Sequence, residues 1–113
     1  MADPRITPGY DGARRDGMTF IIDDSTITFD ATKAGGSAAV GKAVTLSAGG
    51  TIALCADADP VLGKLESVEW DKRATVIEGP GAYVTLPGGD SATLTVGTKI
   101  VGALGPDSAK GYI

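Results

Sequence analysis

The sequence predicts a small all-β protein, a β-barrel or sandwich of short antiparallel strands behind an extended N-terminal arm. Three observations carry this expectation. Apolar residues alternate with period two through most of the chain after residue 17. The runs are four to eight residues long and are punctuated by Gly, Pro and Asp clusters. No window of eleven or more residues shows helical spacing with caps.

Composition changes near residue 17. Residues 1–17 are polar, are broken by Pro4, Pro8, Gly9 and Gly12, and have no periodicity, so they form no core of their own. This arm nevertheless holds Arg5, Arg14 and Arg15, three of the four arginines of the chain, together with Tyr10. Arg and Tyr are the residue types that most often anchor interfaces, so these four are the candidate partner-binding residues.

Residues 18–35 read as a hairpin-like segment. "MTFII" and "TITFD" are β-branched and aromatic and are separated by the turn signal Asp23-Asp24-Ser25. "KAGGSAAVGK" reads as a flexible connector, and residues 36–113 as the barrel itself. Within it, Val44 and Leu46, then Gly49-Gly50, then Ile52 and Leu54 spell a hairpin. In "VLGKLESVEW" the apolar phase slips between Leu65 and Val68, which predicts a β-bulge. "ATVIEG", "AYVTL", "ATLTV", "GTKIVGAL" and "KGYI" read as further short strands, for seven to nine in all.

Missing residue types exclude several functions. The chain of 113 residues contains no His, Asn or Gln and a single cysteine, Cys55. Without His there is no Ser-His or Cys-His nucleophile pair, and one Cys permits neither an internal disulfide nor a zinc cage. Cys55 lies in the alternation "TIALC", where a buried, inert thiol is expected. A net charge of −4 and few aromatics argue against nucleic acid. No apolar run reaches membrane-spanning length, and "MADPRITPGY" lacks the apolar core of a secretory leader.

The remaining motifs are weak as chemistry. "GSAAVGKA" approaches a phosphate-binding loop, but Ala43 stands at the Mg²⁺-binding hydroxyl position and a strand follows where a helix is needed. Asp57-Ala58-Asp59 and Asp23-Asp24 lack calcium-loop spacing and read as turns. Glu66 and Glu69, three apart on a strand, face opposite sides unless a bulge intervenes. No catalytic role, cofactor or metal is therefore expected.

Two family resemblances stand beside this reading. Val68, Glu69, Asp71, Lys72, Gly88-Gly89-Asp90 and Val96-Gly97 resemble the lipoyl or biotinyl carrier domain over about forty residues, which would make Lys72 the attachment site. Arg73 and Trp70 depart from that pattern, and an exposed hairpin tip is the simpler reading of Lys72. The second covers about two thirds of the chain in order: "VGKAVTL", a glycine hairpin, "TIALCADADP", "VLGKLESVE", "ATVIEGPGAYVTLPGG", "LTVGTKIVGA" and "KGYI". This order resembles the small β-barrel capsid decoration, or cement, proteins of tailed bacteriophages. The resemblance implies a non-enzymatic virion protein, made in the host cytoplasm, on the outer surface of the capsid. It would bind the major capsid protein, form a homo-oligomer (a trimer), and contact neither nucleic acid nor membrane.

Overall fold

The computed structural model describes residues 17–78, 84–90, 92–97 and 99–113. The fold is all-β, with three short 3₁₀ turns as its only helical elements among these residues. Five strands, β1 (Gly17–Ile22), β2 (Ala43–Leu46), β3 (Thr51–Leu54), β4 (Gly63–Val68) and β5 (Arg73–Ile77), close into a barrel in the order β1-β3-β2-β4-β5. The interior is a single apolar cluster of Ile22, Val44, Ile52, Leu65, Val68, Ala74 and Val76 from the strands, with Ile27 and Ala39 from the connection between β1 and β2. Two of the ring's contacts are short: β1 meets β3 at Ile21 and Ile22, and β2 meets β4 at Ala43 and Val44.

Both expected hairpin features are present. β2 and β3 pair antiparallel with Val44 opposite Leu54 and Leu46 opposite Ile52, and the chain turns through Gly49 and Gly50, both at positive φ. The β4–β5 ladder slips between Leu65 and Ser67, so Leu65 and Val68, three apart, both point into the core. Glu66 sits at that bulge.

Residues 18–35 are not a hairpin ahead of the barrel. Residues 17–22 are β1, a full barrel strand, antiparallel to β5 from Gly17 opposite Ile77 to Ile21 opposite Arg73. On its other side β1 runs parallel to β3, with Ile21 opposite Thr51 and Ile22 opposite Ile52. Four of the five neighbouring pairs are antiparallel, as expected, and the fifth is parallel for a geometric reason: strands alternating up and down close only in even number, so five strands need a parallel pair. "TITFD" does not fold back on β1. It crosses one end of the barrel, where Ile27 is fully buried.

That crossing is organised by Asp23. Its carboxylate accepts hydrogen bonds from the backbone N–H of Ser25, Thr26 and Ile27 at 3.1–3.3 Å and from the hydroxyls of Ser25 (2.9 Å) and Thr26 (2.8 Å). The Thr26 hydroxyl in turn accepts from the N–H of Leu54 at 2.9 Å, tying the exit of β1 to the end of β3. The connector after it is tight rather than loose. Gly36 has φ +88°, and a Cβ there would collide with the carbonyl oxygen of Val68.

The C-terminal strands expected from alternation do not form among the described residues. Residues 84–90, 92–97 and 99–113 contain two isolated bridges, Pro60 with Val101 and Ala103 with Tyr112, and no strand. Each of the five strands already has a neighbour on both sides in the ring. The C-terminal residues are tied to the barrel and its loops by backbone hydrogen bonds at a few points: Ala43 N–H to Gly111 O (2.8 Å), Gly111 N–H to Cys55 O (2.8 Å), Ala58 N–H to Gly102 O (2.7 Å) and Gly102 N–H to Asp59 O (2.7 Å).

Asp23 and Gly36 are the positions where this crossing is most sensitive to substitution. Burial tends to raise the Asp23 pKa, but the hydrogen bonds from Thr26, Ile27 and Ser25 outweigh it and hold the carboxyl below its ordinary value. A carboxyl depressed in the folded state contributes stability at neutral pH that is lost as pH falls below about 4 through the folded value. Asp23→Ala should cost about 2 kcal/mol at pH 7 in urea denaturation, and the gap to wild type should shrink between about pH 5 and pH 2. Gly36→Ala should cost about 3 kcal/mol or more in the same assay, since both φ and the Val68 carbonyl oppose a side chain.

Candidate functional site

The β4–β5 turn holds the lysine that the sequence singled out. Glu69 N–H donates to Arg73 O (2.8 Å) and Lys72 N–H to Glu69 O (3.0 Å), so the loop is Trp70-Asp71-Lys72, three residues rather than two. In such loops the third residue takes a left-handed conformation that usually falls to glycine. Here it is Lys72, at φ +70°. Its ammonium pairs with the Asp24 carboxylate at 2.7 Å, both side chains being about half exposed. Arg73 pairs with Asp71 at 3.5 Å in the same turn. The feature sequence reasoning passed over is Trp70, the single tryptophan, whose residue is 80% exposed at this tip. A large aromatic outside a core is the signal that would have found it.

Other candidates resolve into structure. Asp24 is the partner of Lys72 across the fold, and Asp59 accepts a hydrogen bond from Ala56 N–H at 2.9 Å within its own turn. Among the described residues no group of three or more Cys, Asp or Glu side chains is placed to hold a metal ion. Gly36 and Lys42 of the phosphate-loop-like stretch flank a buried Ser37 and Ala39, and no helix follows. Glu66 is half-buried at the bulge and Glu69 exposed in the turn. Cys55 is fully buried, with its thiol 3.9 Å from Pro60 O. Burial, and secondarily the charge of Asp59, pushes its pKa up to about 11. Arg5, Tyr10, Arg14 and Arg15 lie outside the described residues.

Several large apolar side chains are exposed, on the barrel at Met18, Ile21 and Leu46 and also in the C-terminal part. Val84, Leu94, Val96, Ile100, Val101 and Leu104 are all exposed along the C-terminal run, Val96 completely. A groove of about 260 Å³ lies along it, lined by Leu94, Ile100, Val101 and Ile113, with Asp57 and Lys99 as its charged members. No helix among the described residues is long and apolar enough to cross a membrane.

The burial of Cys55 and the backbone strain at Lys72 can both be measured. Cys55 should be inert to a thiol reagent at pH 8 in the native protein and react at once in denaturant; labelling of the native state at the denatured rate would contradict its burial. At position 72, Lys72→Gly should leave stability within about 1 kcal/mol, relief of backbone strain offsetting an exposed ion pair, whereas Lys72→Val should lose about 1–2 kcal/mol. Equal losses for both would mean that the ion pair, and not the backbone, governs stability at this position.

No family model, no curated protein and no solved structure matches this chain.

Proposed function

We propose that this protein is a capsid decoration protein that binds the outer surface of an assembled phage head and stabilises the lattice of the major capsid protein, acting as a homo-oligomer and without catalysis. The observation that carries the reading is the set of exposed apolar residues Val84, Leu94, Val96, Ile100, Val101 and Leu104, with Trp70 exposed at the β4–β5 tip. Isolated exposed apolar residues are ordinary; a run of them beside a groove marks a surface that meets another protein. The ordered sequence resemblance to phage cement proteins supplies the class of partner.

The mechanism would be mass action. A protein that binds the assembled lattice and not its dissociated subunits shifts the equilibrium towards the lattice, and an oligomer contacting several subunits at once gains avidity. The arm with Arg5, Tyr10, Arg14 and Arg15 would add surface by ordering on the shell, at an entropic cost.

The test is co-sedimentation of the full-length protein with undecorated heads of the phage that encodes it, followed by heating of the heads. Saturable binding and a higher disruption temperature are expected. Failure to bind, with folded protein present, would overturn the proposal. Intact mass of protein from its native source adds the contrast: a lipoyl or biotinyl adduct on Lys72 would replace this reading with a carrier domain.

A further inference from the structure

We infer that the depression between the β1–β2 connection and the end of β3 binds a single phosphate group, with Lys42 as its cation. The inference does not depend on shell binding.

The first observation is the lining. A depression of about 220 Å³ is bordered by Thr26, Thr28, Ser37, Ala38, Lys42 and Leu54, with Ala39 beneath. Lys42 is its one charged residue, and no carboxylate lines it. Ser37, Ala38 and Lys42 belong to "GSAAVGKA", the stretch whose spacing approaches a phosphate-binding loop. The strand that begins at Ala43 excludes the nucleotide-binding form of that loop, which needs a helix. The volume excludes it too, since sites for whole small molecules begin near about 300 Å³. One oxyanion needs less room.

The second observation is the supply of donors. Ser37 is 4% exposed. Its hydroxyl oxygen accepts from Ala39 N–H at 3.1 Å, and its proton has no acceptor among the described residues. The Ala38 N–H and the Thr28 hydroxyl likewise meet no acceptor among those residues. Thr26 is already committed, donating to Asp23 and accepting from Leu54 N–H. A buried donor is costly when nothing accepts from it. Three free donors beside an ammonium group suit a ligand rich in acceptors, and the charged oxygens of a phosphate take such bonds strongly.

The third observation is that the cation is held in place. Lys42 is half-buried. Its stem lies against Gly111, where a Cβ would come within 2.9 Å of the Lys42 Cβ. Its ammonium stands 5.2 Å from the centre of the Tyr112 ring and has no ion pair among the described residues. The loop that carries it is braced at both ends. Gly36 lies against the carbonyl of Val68, and Gly41 N–H donates to Leu65 O at 2.8 Å. A fixed cation without a counter-ion, among donors fixed by the same loop, needs little reordering to bind an anion.

Free phosphate and a phosphomonoester share this chemistry, and amide NMR of the full-length protein separates them. One titration uses inorganic phosphate and the other glycerol 3-phosphate, both at constant ionic strength set with NaCl. Saturable shifts centred on residues 26–28, 37–42 and 111–112 are expected. Saturation by phosphate alone identifies the free ion as ligand, and saturation by the ester identifies a phosphate carried on a larger molecule. Lys42→Met should weaken binding about tenfold or more and Thr28→Val about threefold, while Lys99→Met, at the other groove, should leave it unchanged. If Lys42→Met fails to fold, Lys42→Arg takes its place and should keep binding within about threefold, with Thr28→Val as the weakened variant. No saturable shift in either series at about 10 mM, where a site with a Kd of about 1 mM is nearly filled, would overturn the inference. So would shifts of equal size around the exposed lysines elsewhere, or binding that Lys42→Met and Thr28→Val leave intact.

Discussion

Five strands cannot alternate in direction around a closed ring, and this constraint shapes the rest of the molecule. One neighbouring pair has to be parallel, and here it is β1 with β3. A parallel pair cannot be joined by a tight turn. The chain leaving β1 must pass across the barrel end, build β2 on the far side of β3, and return through Gly49-Gly50. The crossing segment thereby becomes the plug of the core, with Ile27 and Ala39 inside. Asp23 makes the crossing feasible, since its carboxylate gathers the backbone donors of a turn that no ladder satisfies, and Thr26 passes the connection on to Leu54.

Closure also bears on the surface. Once β1 joins β5 and β3, each barrel strand has two neighbours, and the described residues after 83 have strand-like alternation but add no strand to the ring. Leu94 and Val96 are exposed in that part of the chain. The same ring fixes the β4–β5 tip, so that an exposed indole stands on a stiff support. Exposed apolar surface of this kind is the observation on which the proposed binding role rests.

Much of the barrel was legible because local rules and tertiary structure agree there. The Val44–Leu54 hairpin and the slip at Leu65–Val68 are two-residue periodicities broken by recognisable punctuation, and both survive in the fold. What was not legible is closure. Nothing in "MTFII" distinguishes a strand that pairs with its sequence neighbour from one that pairs with β5 some fifty residues on, because period-two alternation fixes a face and not a partner. For the same reason "ATLTV" and "GTKIVGAL" read as strands although none forms there among the described residues. Of the candidate site, Lys72 was visible as a tip, but its left-handed backbone and its pairing with Asp24, 48 residues earlier, depend on the barrel bringing two turns together. Trp70 was read as a departure from a family pattern, and its exposure is a tertiary fact.

The central claim is that β1 is an integral stave of the barrel rather than an appendage, since the core plug depends on it. Native-state hydrogen exchange measures this directly. Ile22 N–H donates to Lys72 O and Asp23 N–H to Ile52 O, one bond to each neighbouring side of the ring. Under conditions where exchange reports opening free energy, both amides should exchange with the same free energy as Cys55 and Leu65, whose N–H groups bond to Ala43 and Lys42, through global unfolding alone. Exchange of Ile22 and Asp23 by a separate, low-energy opening that leaves Cys55 and Leu65 protected would contradict the account.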